Sequence, residues 1–243
     1  FHRDKPSALL HDPEGDYLVF PHEMVRAESA VEFFDEFLEF HMVNDLLLAQ
    51  LDALLHYLDL LVRWNATYNL TAVREPSDML TQHVADCLAI VAPLRRVLGE
   101  PLKARILDVG SGAGLPGVVL AIVAPQASLL CLDKVGKKAA FVRQVGAELA
   151  LRNLQAEHAR VEALDAGTFD AIVSRAFASI ADFVRLTAPH LRSNGIWLAM
   201  KGKRPDAELL AVPADTVVFH VEPLLVPGLG DAQRCLVWMR RRQ

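Results

Sequence analysis

Arg105-Ile106-Leu107-Asp108-Val109-Gly110-Ser111-Gly112-Ala113-Gly114-Leu115-Pro116-Gly117 is the stretch that decides the fold of this 243-residue chain. An apolar run ends in three glycines at alternate positions, then a proline, and the apolar run Val118 to Val123 follows. The pattern reads as a buried strand, a tight turn and the first turns of a helix. Glycine meets two needs there: positive φ, and close approach of backbone to a ligand. Pro116 suits the first turn of a helix, where a missing N–H leaves nothing unpaired. Strand, glycine turn and helix N-terminus together make a nucleotide-sized site at the carboxyl edge of a parallel sheet.

Gly112-Ala113-Gly114-Leu115-Pro116-Gly117 matches G-x-G-x-x-G, so a dinucleotide has to be weighed. The glycines begin earlier, however, at Gly110, directly after Asp108 and Val109. The string Leu107 to Gly114 resembles the D/E-x-G-x-G-x-G turn of class I S-adenosylmethionine methyltransferases. An acid two residues before the first glycine can orient the N–H groups of the turn and, through water, meet an ammonium. The same acid would repel a pyrophosphate. The next strand, Ser128 to Asp133, ends in an acid suited to a ribose diol, which both cofactors use, so Asp133 supports the site without choosing between them. The methyl donor is favoured, and a dinucleotide-dependent oxidoreductase stays as the rival.

Hydrophobic residues make up 52% of the chain, yet no uninterrupted apolar run is long enough to span a bilayer, which argues against a membrane-embedded protein. No basic-then-apolar signal opens the sequence. Cys87, Cys131 and Cys235 are far apart and form no C-x-x-C, so reduced buried thiols in a cytoplasmic protein are expected. The net charge of −5 hides an asymmetry: residues 1–60 carry 13 acids and 3 bases, the remainder 17 acids and 22 bases. A mildly basic catalytic part permits an anionic partner such as RNA without demanding one.

Residues 1–41 read as a leader with no assigned role, turn-like over 11–16 and with a short acidic helix over 30–40. Residues 42–98 read as a helical cap. Its first helix, 44–64, carries a leucine stripe at helical spacing and Asn44 or Asp45 as cap; turn formers fill 64–71; a second helix spans 76–97. Residues 99–243 alternate strands and helices in the doubly wound manner. Beyond the first two strands these are a helix at 136–151, strands at 155–159 and 169–175, a helix at 180–191, a strand at 195–201, and β-like runs at 216–222 and 233–239 that suit an antiparallel edge hairpin.

Several strings in order carry a family resemblance: Trp64-Asn65 with Tyr68-Asn69-Leu70-Thr71, Arg74-Glu75-Pro76, His83 with Asp86, the glycine turn from Asp108 to Gly117, Ser174-Arg175-Ala176-Phe177, and Lys201-Gly202. Over about residues 44–240 the chain resembles the RsmG (GidB) family, bacterial methyltransferases acting on guanine N7 of 16S ribosomal RNA. The W-N-x-x-Y-N-L-T string is far more specific than the glycine turn, and residues 1–41 align with nothing in the family. The resemblance implies an α/β fold of the class I S-adenosylmethionine-dependent methyltransferases, Rossmann-like, with a mostly parallel seven-stranded sheet and an N-terminal helical cap. It implies S-adenosylmethionine as cofactor, held by Gly110 and Leu115 in the turn, Val161 and Glu162 beside the adenine, and Arg175 at the end of the fourth strand. Asp108, Gly112, Gly114 and Asp133 join them from the reading of the turn. The implied partner is 16S ribosomal RNA within the small subunit or an assembly intermediate, met by a monomer.

Methyl transfer from a sulfonium is an in-line displacement, so positioning outweighs covalent machinery. The Asn/Asp-Pro-Pro-aromatic string of enzymes that methylate exocyclic amines is replaced here by Ser174-Arg175-Ala176-Phe177. No cysteine lies at the end of the fourth or fifth strand, as carbon-5 pyrimidine methylation requires. Guanine N7 presents a lone pair and needs no general base. Arg175 and Phe177 are therefore candidate positioning residues: Arg175 for the donor carboxylate or guanine O6, or else a structural ion pair; Phe177 for the target base, or else the core. His83 and Asp86 lie three apart on a helix, able to meet, and with no further ligand cluster they do not read as a metal site. They either tie the cap to the glycine turn or position cofactor or base. Lys201, Lys203 and Arg204 after the fifth strand, and Lys134, Lys137 and Lys138 after the second, are candidate phosphate contacts, with Arg240-Arg241-Arg242 as a third group. The alternatives are a methyltransferase of protein or a small molecule, and a binding-only protein that keeps the cofactor pocket.

Overall fold

The computed structural model describes residues 48–175, 177–230 and 232–242; the acidic leader and the expected helix cap at Asn44 or Asp45 lie outside them. Helix α1 spans Leu48–Tyr68. Helix α2 runs over residues 76–88 and is α-helical at Pro76–Met79, π-helical at Leu80–Ala85 and α-helical again at Asp86–Leu88. Then follow α3 (Val91–Leu98), β1 (Arg105–Val109), α4 (Gly117–Val123), β2 (Ser128–Asp133), α5 (Gly136–Glu148), β3 (Leu154–His158), β4 (Phe169–Ser174), α6 (Ile180–Thr187), β5 (Leu191–Lys201), α7 (Asp206–Leu210), β6 (Thr216–Leu224) and β7 (Arg234–Arg241). Among the described residues no helix is long and apolar enough to cross a membrane.

The seven strands form one sheet in the order β3-β2-β1-β4-β5-β7-β6. Strands β1 to β5 pair in parallel, and β7 enters antiparallel between β5 and β6. Building outward from β1 to β3 and then restarting beside β1 with β4 puts the switch of direction between β1 and β4. Such a switch opens a crevice at the carboxyl edge. Alternation along β1 serves two layers: Ile106 packs with the cap, α4 and α5, while Leu107 and Val109 pack with α6. The cap leucines Leu54, Leu58 and Leu61 belong to the same buried core as α4 and α5.

The largest departures from the sequence-based boundaries are four. Helix α1 does not stop at Trp64: Trp64 and Tyr68, four residues apart, bring their rings to 5.0 Å, and Trp64 packs at 5.4 Å on Phe141 of α5. The chain turns only at Asn69, whose φ of 50° is a left-handed conformation that asparagine tolerates. The expected helix over 76–97 breaks before Val91, where Pro93 lacks the N–H that continuation would need. Likewise α6 ends at Thr187 ahead of Pro189, and β5 begins at Leu191, earlier than Gly195. The tail is the expected antiparallel pair, but its second strand is internal and β6 forms the edge.

The Trp-Asn-x-x-Tyr-Asn-Leu-Thr segment owes its shape to Asn65, which is buried. Its Nδ2 donates to the Val73 carbonyl at 3.0 Å, and its Oδ1 accepts the Thr71 N–H at 2.9 Å. Arg74 then donates to the Asn65 carbonyl at 3.3 Å and to Asn69 Oδ1 at 2.6 Å. Replacing Asn65 by Ala leaves a buried donor and acceptor unpaired, so Asn65→Ala should lower stability by about 1–3 kcal/mol, read as an earlier urea midpoint at unchanged slope.

Candidate functional site

At the carboxyl edge of β1 and β2 lies a cavity of about 360 Å³ whose lining includes Val109, Gly110, Asp133, Lys138, Arg160, Val161, Glu162 and Phe177. That volume suits a small-molecule cofactor. The three glycines of the turn divide the work. Gly110, at φ 70°, meets nothing within 4 Å of where a Cβ would stand and opens on the cavity. Gly112 donates its N–H to Asp133 Oδ2 at 2.9 Å. A Cβ on Gly114 would stand 2.4 Å from Val118 Cγ2, so this glycine lets the turn close on α4. Asp133 also accepts the Val135 N–H at 2.8 Å, and the one carboxylate thereby organises the turn and the start of α5 while facing the cavity. Leu115 is buried in the core and does not line the cavity.

Asp108 sits beneath the turn. Its Oδ2 accepts the Gly117 N–H at 2.9 Å, so it orders the start of α4 and not the N–H groups of Gly110 to Gly114. Its Oδ1 is buried and has no hydrogen-bond partner among the described residues. Burial, opposed by the Gly117 N–H, pushes the Asp108 carboxyl up to about 7. The cap reaches this turn through Tyr57, whose hydroxyl donates to the Ala113 carbonyl at 2.9 Å, and not through His83 or Asp86.

His83 and Asp86 instead meet Arg175. Its guanidinium donates to the Gln82 carbonyl at 3.0 Å and to His83 Nδ1 at 3.1 Å, and lies 3.7 Å from Asp86 Oδ2. Because arginine only donates, His83 Nδ1 carries the lone pair and Nε2 the hydrogen, given to Thr71 Oγ1 at 2.8 Å. Burial first and the Arg175 charge second depress the imidazole to about 4, so it is neutral at physiological pH. Asp86 also accepts from Arg234 Nε at 2.9 Å. Burial raises its carboxyl, against the two arginines, which lower it. These groups, with Met200, Lys201 and Gly202, line a second cavity of about 350 Å³. Arg175 does not line the first cavity, contrary to the expectation that it holds cofactor, and Phe177 does, with its ring 5.5 Å from Phe183.

The expected phosphate contacts separate into two kinds. Lys201 pairs with Glu208 at 2.8 Å and Arg204 with Asp206 at 2.7 Å, so each charge is compensated within the loop. Lys137 and Lys138 have no carboxylate partner among the described residues, and neither has Lys203. Arg160 and Arg234 were missed by sequence reasoning: Arg160 precedes the matched Val161-Glu162 pair by one residue, whereas Arg234 had no local signal at all. Among the described residues no group of His, Cys, Asp or Glu is arranged to hold a metal ion.

The Asp108 carboxyl gives a pH test. A group whose folded pKa is raised binds a proton in the folded state that the unfolded chain has already released, so its protonated form loses ground as pH rises from about 3.8 to about 7. Asparagine copies the protonated form at all pH. Asp108→Asn should therefore gain stability relative to the unaltered protein across that window, by up to about 1.4 kcal/mol per pH unit, measured by urea unfolding at pH 5, 6 and 7. A difference constant with pH would show that the carboxyl is not held protonated.

A family model described as GidB, rRNA small subunit methyltransferase G, matches residues 50–237. A ribosomal RNA small subunit methyltransferase G of Methylibium petroleiphilum is 57% identical over 198 residues, covering 82% of this chain and 89% of the relative. Its counterpart in Leptothrix cholodnii is 60% identical over 194 residues, covering 79% and 88%. Among solved structures, TrmN from Thermus thermophilus aligns with a TM-score of 0.51 at 16% identity over 67% of this chain and 53% of that one. Coclaurine N-methyltransferase, bound to N-methylheliamine and SAH, aligns with a TM-score of 0.50 at 12% identity over 70% and 59%. These structures support the methyltransferase fold alone. Sequence match, sheet order and glycine turn agree: the chain belongs to the GidB family of S-adenosylmethionine-dependent small-subunit rRNA methyltransferases.

Proposed function

We propose that this protein methylates N7 of a guanine in 16S ribosomal RNA, taking the methyl group from S-adenosylmethionine bound in the first cavity and the guanine in the second. The observation that carries the reading is the pair of cavities on either side of the segment following β4, with Phe177 on the first and Arg175 on the second. In this reading a cap that ends near residue 98 precedes the methyltransferase domain, and the protein works as a cytoplasmic monomer on the small subunit or a precursor of it.

The residues present fit the cofactor. Gly110 leaves the cavity open where a side chain would fill it, Asp133 lines it with a carboxylate for a ribose, and Val161 and Glu162 line it for an adenine. S-adenosylmethionine, when bound, supplies an electrophilic methyl group on a sulfonium. The chain then has to hold a guanine with N7 in line and exclude water. Arg175 and Arg234, each braced by Asp86, present donors to the second cavity that suit guanine O6, the acceptor beside N7. No base is required. Two side chains that could offer other chemistry are otherwise engaged: Ser174 Oγ donates to the Val109 carbonyl at 2.8 Å, and burial pushes the Cys235 thiol up, so it is no thiolate nucleophile.

The deciding experiment incubates small subunits from cells lacking the protein with methyl-labelled cofactor and separates the nucleosides. Label in N7-methylguanosine supports the reading; label elsewhere, or none, overturns it. Two variants divide the site. Gly110→Asp places an unpaired carboxylate in the first cavity and should weaken cofactor binding on the order of a hundredfold by calorimetry. Arg175→Lys loses the planar fork and should cut the rate of transfer on the order of a hundredfold while cofactor affinity stays within about twofold.

A further inference from the structure

A ladder of aromatic rings leads from the glycine turn to the surface. It starts at Tyr57, bonded to the Ala113 carbonyl, whose ring lies 6.2 Å from Phe141. Trp64 follows at 5.4 Å from Phe141, and Tyr68 at 5.0 Å from Trp64. Tyr57 and Phe141 are fully buried, whereas Tyr68 is 43% exposed and its hydroxyl has no hydrogen-bond partner among the described residues. A core explains the inner rings. The contact with Trp64 carries α1 on to Tyr68 and leaves that outermost ring open to solvent.

Cations stand on the two segments that adjoin the Trp64–Tyr68 pair. Lys137 and Lys138 lie one helical turn before Phe141 on α5, on the side that Trp64 packs against. Lys138 Nζ reaches to within 3.9 Å of where a Cβ on Gly112 would stand, at the mouth of the first cavity. Arg74 is bonded to Asn69, the residue after Tyr68, and its acceptors are neutral, Asn65 O and Asn69 Oδ1. None of these cations has a carboxylate partner among the described residues, unlike Lys201 and Arg204. A flat ring held firm by a second ring and bordered by uncompensated cations suits a nucleotide: the base stacks and its phosphates meet the lysines.

We propose that Tyr68, backed by Trp64 and flanked by Lys137, Lys138 and Arg74, is a stacking platform for an unpaired nucleotide of the substrate RNA outside the methylated base. The assignment rests on ribosomal RNA being the substrate, and it places RNA on the cap side of the cofactor cavity, away from the Lys201 loop.

The test compares Tyr68→Ala, Tyr68→Leu and Tyr68→Phe in the full chain by filter binding to unmethylated small subunits, which needs no methyl transfer. The Ala and Leu variants should bind on the order of tenfold or more weakly, the range of a lost base stack. The Phe variant should match the unaltered protein, and cofactor affinity and melting temperature should hold in all three. Equal binding by all, or recovery by Leu as well as Phe, overturns the platform. A photoreactive p-azidophenylalanine at position 68 should crosslink to RNA; a crosslink to a ribosomal protein, or none, also overturns it. Transfer to guanine N7 by the unaltered protein is scored separately, so failure of the platform and failure of the substrate reading are distinct results.

Discussion

A largely buried guanidinium must find acceptors, and the way Arg175 finds them joins α2 to the end of β4. Standing at the end of β4, it takes the Gln82 carbonyl, the lone pair of His83 and the carboxylate of Asp86, all from α2. The π-helical turn over Leu80–Ala85 lies where these acceptors are presented, and such turns often accompany functional sites. The arrangement also dictates a protonation state: a charged His83 could not accept from Arg175. Burial beside a permanent cation keeps it neutral. Asp86 has two arginines to itself, so the second cavity retains an excess of donors and positive charge, a setting that favours an acceptor-rich base edge over another amine.

The first cavity is built from different physics. Its floor is a turn that needs three glycines for three reasons: open space at Gly110, a backbone donor at Gly112 and helix contact at Gly114. Two acids serve it without doing the same thing. Asp133 accepts N–H groups on both oxygens at the cavity edge, while Asp108 lies fully buried under α4 with one oxygen unengaged among the described residues. A carboxylate so enclosed stays charged only with help, and the Gly117 N–H supplies too little of it, which is why burial dominates its titration.

Much of this was legible beforehand. The strand, turn and helix around Gly110, the acid ending β2 and the parallel alternation all follow from residue patterns only a few positions long, since main-chain hydrogen bonds and side-chain period are local matters. Errors clustered where a side chain from elsewhere overrides local preference. Trp64-Asn65-Ala66-Thr67-Tyr68 reads as turn-forming, yet ring packing on Phe141 keeps it helical. The lysines after β5 read like those after β2, yet Glu208 neutralises Lys201 while Lys137 and Lys138 have no carboxylate partner among the described residues.

The order of strands and helices, the glycine turn and the acids that bracket it are readable from residue patterns, because each depends on neighbours within a turn or two of chain. Where Arg175 points, its sharing of Asp86 with Arg234 across 148 positions and the exposure of the Tyr68 ring follow from the folded arrangement. Those outcomes are set by burial and charge pairing between segments distant in the chain, and no local pattern encodes which partner a buried charge will find.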